Sequence, residues 1–142
     1  MPVPTVLDRF PVPECAKLLG LNILEANPAE GHVRIAFEGR AEFCNAAGGI
    51  QGGFLTAMLD DCMGPAVLIG TDAQLFPTTI SLNVNFLAPA KPGRLIGEGR
   101  VVRMGKTIGF VEASLCDEAG ALVATASASV RVTPLPAAIG RV

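Results

Sequence analysis

Charge is scarce in this 142-residue chain: Asp, Glu, Lys and Arg make up only 17% of it, with net charge −2 and pI near 5.3. So small and slightly acidic a charge offers no electrostatic footprint for nucleic acid. Histidine is scarcer still. His32 stands alone, in Gly31-His32-Val33-Arg34-Ile35-Ala36-Phe37. There Val33, Ile35 and Phe37 make the inward face of a strand and His32 lies on the wet side beside Arg34. A Ser-His-Asp triad would have to be built on this one residue. The four cysteines (15, 44, 62 and 116) form no C-x-x-C pair and have no histidine nearby. That excludes a zinc site or disulfide framework and predicts reduced thiols, with no metal and no resident cofactor. Cys44, next to Asn45, lacks the neighbouring base a thiol nucleophile needs. No uninterrupted apolar run reaches about 18 residues, and the opening MPVPTVLDRFPVPE lacks a basic segment followed by an apolar one. The expectation is a cytoplasmic protein without a membrane span.

What the chain has in quantity is apolar surface. Half of its residues are hydrophobic, which suits one domain over 1–142 and leaves too little polar surface to cover a lone subunit, so self-association to a dimer or tetramer is expected. The densest stretch is residues 45–69, NAAGGIQGGFLTAMLDDCMGPAVLI. Its glycines (Gly48, Gly49, Gly52, Gly53) lead into a helix whose apolar residues leave no broad polar face, predicting burial nearly all round. Two carboxylates, Asp60 and Asp61, sit inside that run, and an ionised carboxylate in a core needs a reason. The glycines lack the Cβ that keeps ligands off the backbone and lie where a helix exposes unpaired N–H groups. A place to hold developing negative charge, with an acid two turns on, has the makings of an active site.

In chain order, the proline-rich segment 1–12 reads as a loose arm and 134–142 as a frayed tail. Residues 13–20 read as a short helix, 21–26 and 32–38 as strands, and 39–49 as loop. Pro65 predicts a kink or break between Asp61 and Pro65. Residues 78–87 alternate, with Ile80, Leu82, Val84 and Phe86 on one face and Thr79, Ser81, Asn83 and Asn85 on the other. Strands 94–104 and 107–116 are joined by a tight Gly105-Lys106 turn, and a second hairpin leads into 122–132. The last strand's inner face is small (Ala124, Ala126, Ala128), with the long helix as its natural partner. The class is α+β: a curled antiparallel sheet of about six strands wrapped around one long central helix.

Asn45, then Gln51-Gly52-Gly53, Asp60, Asn83-Val84-Asn85-Phe86-Leu87-Ala88-Pro89-Ala90 and Gly105-Lys106-Thr107 resemble the hotdog-fold acyl-CoA thioesterases, in particular the PaaI-like and 4-hydroxybenzoyl-CoA thioesterase group. The resemblance spans roughly residues 13–132. It implies hydrolysis of an acyl-CoA by dimers or tetramers with sites at the subunit interface. Carried over by position, Gly52 would give its N–H to the thioester oxygen, and Asp60 would be nucleophile or general base, reaching in from a partner subunit. Asn45 would orient water or thioester, and Thr79 would help position the water. Gln51 and Gly53 would help bind the substrate, and Arg103, Gly105 and Lys106 would meet CoA phosphates. Gln51 stands where the family usually has histidine and cannot titrate near neutrality.

Each assignment has a plainer counterpart. Asp60 can be a structural acid, with Asp61 a rival for its role. The glycine pair can serve close packing alone, Asn45 can cap a turn, and Lys106 can be an ordinary hairpin residue. Phe54, Met58, Met63 and Phe86 fit either an acyl pocket or the core. A hotdog protein that binds acyl-CoA or an acyl chain without turnover is the alternative function. A hotdog hydratase, needing a catalytic histidine paired with an acid, is disfavoured.

Overall fold

The computed structural model describes residues 3–140. Among these, six strands form one antiparallel sheet: β1 (Asn22–Asn27), β2 (His32–Gly39), β3 (Leu75–Phe86), β4 (Gly93–Met104), β5 (Ile108–Asp117) and β6 (Leu122–Pro134). Their order is β1-β2-β4-β5-β6-β3, so β1 and β3 are the edges. A short helix α1 (Glu14–Leu18) precedes the sheet, and α2 (Gly52–Gly70) lies in its curl. This is the α+β hotdog arrangement.

Helix α2 is organised by its apolar spacing. Leu55, Met58, Leu59, Cys62, Met63, Ala66, Val67 and Ile69 are all buried, and each large side chain contributes about 1.5–3 kcal/mol on leaving water. Met58 and Met63, at 0% and 1% exposure, are core residues. Burial is not complete around the helix, however. Gly53, Ala57 and Asp60 form an exposed stripe at helical spacing, which corrects the expectation of an all-round buried rod. Nor does Pro65 break it, since one helix runs unbroken to Gly70. What Pro65 removes is the N–H that would have bonded the Asp61 carbonyl. The helix is long and apolar enough to cross a bilayer, but here it is the core around which the sheet folds.

The helix meets the sheet most closely on central strand β4. A Cβ on Gly99 would stand 2.7 Å from the carbonyl carbon of Cys62, and one on Gly97 would collide with Cys62 Sγ. Two alternate glycines thus cut the groove in which α2 lies. The alanines of β6 are buried as expected, but β6 lies beside the sheet edge, while the helix axis crosses nearer the middle. The same contact seals Cys62, whose burial pushes its thiol far above the usual range.

The N-terminal arm contains a capped turn despite its prolines. Thr5 Oγ1 accepts from the Leu7 N–H (3.1 Å) and Asp8 Oδ2 from the Thr5 N–H (2.9 Å), a capping box that starts a 3-10 turn over Val6–Arg9. Arg9 pairs with Asp72 at 3.2 Å, and Val6 and Leu7 pack on the core. At the other end β6 continues to Pro134. The remaining parts of the expected loose ends, residues 1–2 and 141–142, lie outside the described residues.

Candidate active site

The loop before α2 holds itself in place through backbone groups. Asn45 Oδ1 accepts from the N–H groups of Ala47 (3.0 Å) and Gly49 (3.2 Å), so this side chain builds a turn. The Ile50 N–H donates to Ala90 O (2.7 Å) and the Gln51 N–H to Phe43 O (2.8 Å), pinning the loop to the fold just ahead of the helix. Gln51 is the N-cap residue, yet its side chain makes no capping bond. Among the described residues no acceptor meets the N–H of Gly52 or Gly53. Two bare amides at the positive end of a 19-residue helix form a ready anion site. The Phe86 ring lies over Gly52, where a Cβ would stand 3.0–3.5 Å from three ring carbons. Gln51 Oε1 lies 3.1 Å from the Cβ position of Gly53.

Two turns along, Asp60 meets Thr79. Thr79 Oγ1 donates to Asp60 Oδ1 at 3.0 Å, and both residues are exposed in the single chain rather than buried. The strict alternation of residues 78–87 places Thr79 on the face away from the helix. The structure turns it over with a β-bulge: Thr79 pairs with Val130 and Ser81 with Ser129, leaving Ile80 unpaired between them. Directly paired residues share a face, and Val130 is buried. Thr79 therefore joins Leu82, Val84 and Phe86 on the helix side. Ile80 leaves that face and is 59% exposed. Bulges commonly re-aim a side chain beside a site in this way.

Asp61 is the more deeply placed of the two acids. Its Oδ2 is buried with no hydrogen-bond partner among the described residues. Desolvation, and secondarily the charge of Asp60, raise its carboxyl from 3.8 to about 6. The expensive carboxylate anticipated in the helix is thus Asp61, while Asp60 faces outward toward Thr79.

Eight residues of helix separate Gly52 from Asp60, about 12 Å along the axis. One chain therefore cannot present both to a single carbonyl group. The hairpin carrying Lys106 lies at the Asp60 end: Thr79, Val130 and Gly109 form one row across β3, β6 and β5. The two loop residues are Lys106 and Thr107, because the Gly105 N–H donates to Ile108 O at 2.9 Å. A second bulge at Val102 leaves Arg103 paired with Phe110, on the face of the sheet away from α2.

A family model described as Thioesterase superfamily matches residues 47–127, from the Asn45 loop into the first half of β6. The chain belongs to the thioesterase superfamily. With it comes membership of the hotdog-fold thioester hydrolases. Human acyl-coenzyme A thioesterase 13 is 31% identical over 110 residues, 76% of this chain and 77% of that protein. A phenylacetic acid degradation-related protein of Ralstonia eutropha JMP134 superposes with a TM-score of 0.83 at 34% identity, covering 89% of this chain and 95% of its own. PaaI of Escherichia coli, 22% identical, shares the fold with a TM-score of 0.78 over 87% of each chain. Sequence reasoning had named both members of this thioesterase's Asp60–Thr79 pair. It missed the bulge that joins them, whose one visible sign is a large apolar Ile80 that the pleat would bury.

Proposed function

We propose that this protein hydrolyses acyl-CoA thioesters at a site shared between two copies of the chain. The observation that carries the reading is the Thr79–Asp60 hydrogen bond, 3.0 Å long and open to solvent, midway along a helix whose N-terminal end carries two amides with no acceptor among the described residues. The likeness to human acyl-coenzyme A thioesterase 13 supports the substrate class.

In this reading Thr79 holds one carboxylate oxygen of Asp60 and leaves the other to accept a proton from water. The resulting hydroxide oxygen bonds to the thioester carbon. Negative charge moves onto the carbonyl oxygen, where the Gly52 N–H of a second copy receives it. The C–S bond then breaks and the CoA thiolate departs, taking up a proton. No histidine is required, because the thioester is already activated and both ends of the reaction are served by fixed groups. Edge strand β3 is the natural seam between copies: among the described residues it has no partner on its outer side, and Ile80, Phe86 and Leu87 are 59%, 53% and 55% exposed. Such an edge calls for cover. Asn45 contributes by shaping the oxyanion loop. Lys106 and Arg103, cationic and exposed, serve the CoA phosphates together with Gly105.

The test is thiol release from a panel of acyl-CoAs by wild type and Asp60→Asn. Wild type should turn over and the variant should lose about 10²–10⁴ in kcat. Tight acyl-CoA binding without release in either protein would support a non-catalytic binder instead.

A further inference from the structure

A cavity of about 700 Å³ lies between α2 and the terminal segments, on the side of the helix away from β4. Its wall includes Leu7 and Phe10 of the arm, Leu21, Leu68 of α2, Phe76 of β3 and Ile139 of the tail. The volume is in the range of small-molecule pockets and the wall is mainly apolar. Three observations say what belongs in it. First, it comes close to the acid–hydroxyl pair without including either member. Asp61 and Pro77 line it; Asp61 directly follows Asp60, and Pro77 lies two residues from Thr79 on the same face of β3. Second, among the described residues its only charged wall residues are acids, Asp8 and Asp61, so an anionic group is repelled and a neutral chain is not. Third, α2 presents Gly64 to it, one turn beyond Asp60, and a Cβ there would meet nothing within 4 Å. The empty volume begins at the helix surface itself.

We propose that this cavity is the chamber for the acyl chain: a neutral, apolar acyl group enters beside Asp60 and Thr79 and runs along α2 beneath the N-terminal arm, with Gly64 setting the width of the passage. This rests on the hydrolytic reading above and adds the substrate class, extended aliphatic rather than dicarboxylic acyl-CoA. It also gives the arm and the tail residues Leu135 and Ile139 a role, as the roof of the chamber.

The position of Gly64 supplies the test. Because the space around it is open and glycine is a poor helix former, Gly64→Leu fills the passage without forcing the core apart. Wild type, Gly64→Leu and Gly64→Ala are compared on acetyl-CoA, hexanoyl-CoA and decanoyl-CoA, with circular dichroism as the check on folding. The ratio of kcat/KM for decanoyl-CoA to that for acetyl-CoA should fall about tenfold or more in Gly64→Leu and about threefold in Gly64→Ala. If the leucine variant does not fold, the alanine variant decides. An unchanged ratio in folded variants of an active enzyme overturns the chamber and leaves hydrolysis standing. If wild type releases no CoA from any of the three, the hydrolytic reading fails on its own. Calorimetric binding of decanoyl-CoA then decides the chamber: weaker binding to Gly64→Leu supports it, and equal binding overturns it.

Discussion

Replacing Asp61 by asparagine keeps the shape of the side chain and removes its proton equilibrium. In the native protein burial and the adjacent Asp60 raise the Asp61 carboxyl from 3.8 to about 6, so the folded state favours the neutral acid more than the unfolded chain does. The sign follows from linkage: the native state binds the extra proton, so this contribution to stability is fully present below pH 3.8. It is lost as pH rises to about 6 and stays lost above that. A shift of about two units corresponds to about 3 kcal/mol. Residual solvent contact lowers the figure to about 2 kcal/mol. The other charged residue lining the same cavity, Asp8, is also an acid, so no cation there offsets the effect. Urea unfolding of wild type and Asp61→Asn at a series of pH values between about 4 and 8 measures it. Because the remaining acids are common to both proteins, they cancel in the difference between the two curves. Asp61→Asn should gain on wild type by about 2 kcal/mol across that range, with most of the change complete by about pH 6.5. Parallel curves, or a wild type that gains on the variant as pH rises, would refute the assignment of Asp61 as a carboxyl whose burial favours its neutral form.

Other consequences are equally direct. Gly99→Ala puts a methyl group 2.7 Å from the backbone carbonyl carbon of Cys62, and neither strand nor helix can yield easily there. It should cost about 3 kcal/mol, read from the urea midpoint, and an unaffected midpoint would mean that α2 does not lie in the β4 groove. Thr79→Val removes the hydroxyl that orients Asp60 while keeping the branch at Cβ. It should lower kcat about tenfold with little change in KM, and Thr79→Ser should restore most of the loss. A purely structural role for Thr79 would give neither the kcat–KM split nor the rescue.

Much of this architecture was legible because the chain states it with two clear periods. The apolar residues of α2 recur at helical spacing, and the alternation from Leu82 to Phe86 marks a half-buried strand, so helix, sheet and their order follow without coordinates. The candidate residues were legible for another reason: bare glycines before a greasy helix with an acid inside it make an unusual combination. Three things were hidden. The bulge at Ile80 is a tertiary choice, since local alternation reads equally well without it. The groove at Gly97 and Gly99 belongs to a strand far from α2 in sequence, and glycine in a strand does not announce what approaches it. The order of the N-terminal arm arises from a capping box on Thr5 and Asp8 and an ion pair to Asp72, contacts that the surrounding prolines mask. The two neighbouring acids were also told apart only by the rotation of the helix against the sheet, which sends Asp61 inward and leaves Asp60 beside β3.

The single unpaired isoleucine on β3 has a consequence for how this protein can change. Pairing it into the ladder would give a smoother strand and turn an exposed greasy side chain under the sheet. Yet it would also shift every residue before it by half a pleat, carrying the hydroxyl at position 79 to the back of the sheet and away from its acid. A strand made regular in that way would be a worse tool. The irregularity works as a phase adjuster, and deleting Ile80 alone should be tolerated, because Thr79 would still face Val130 directly beside the Ser81–Ser129 pair.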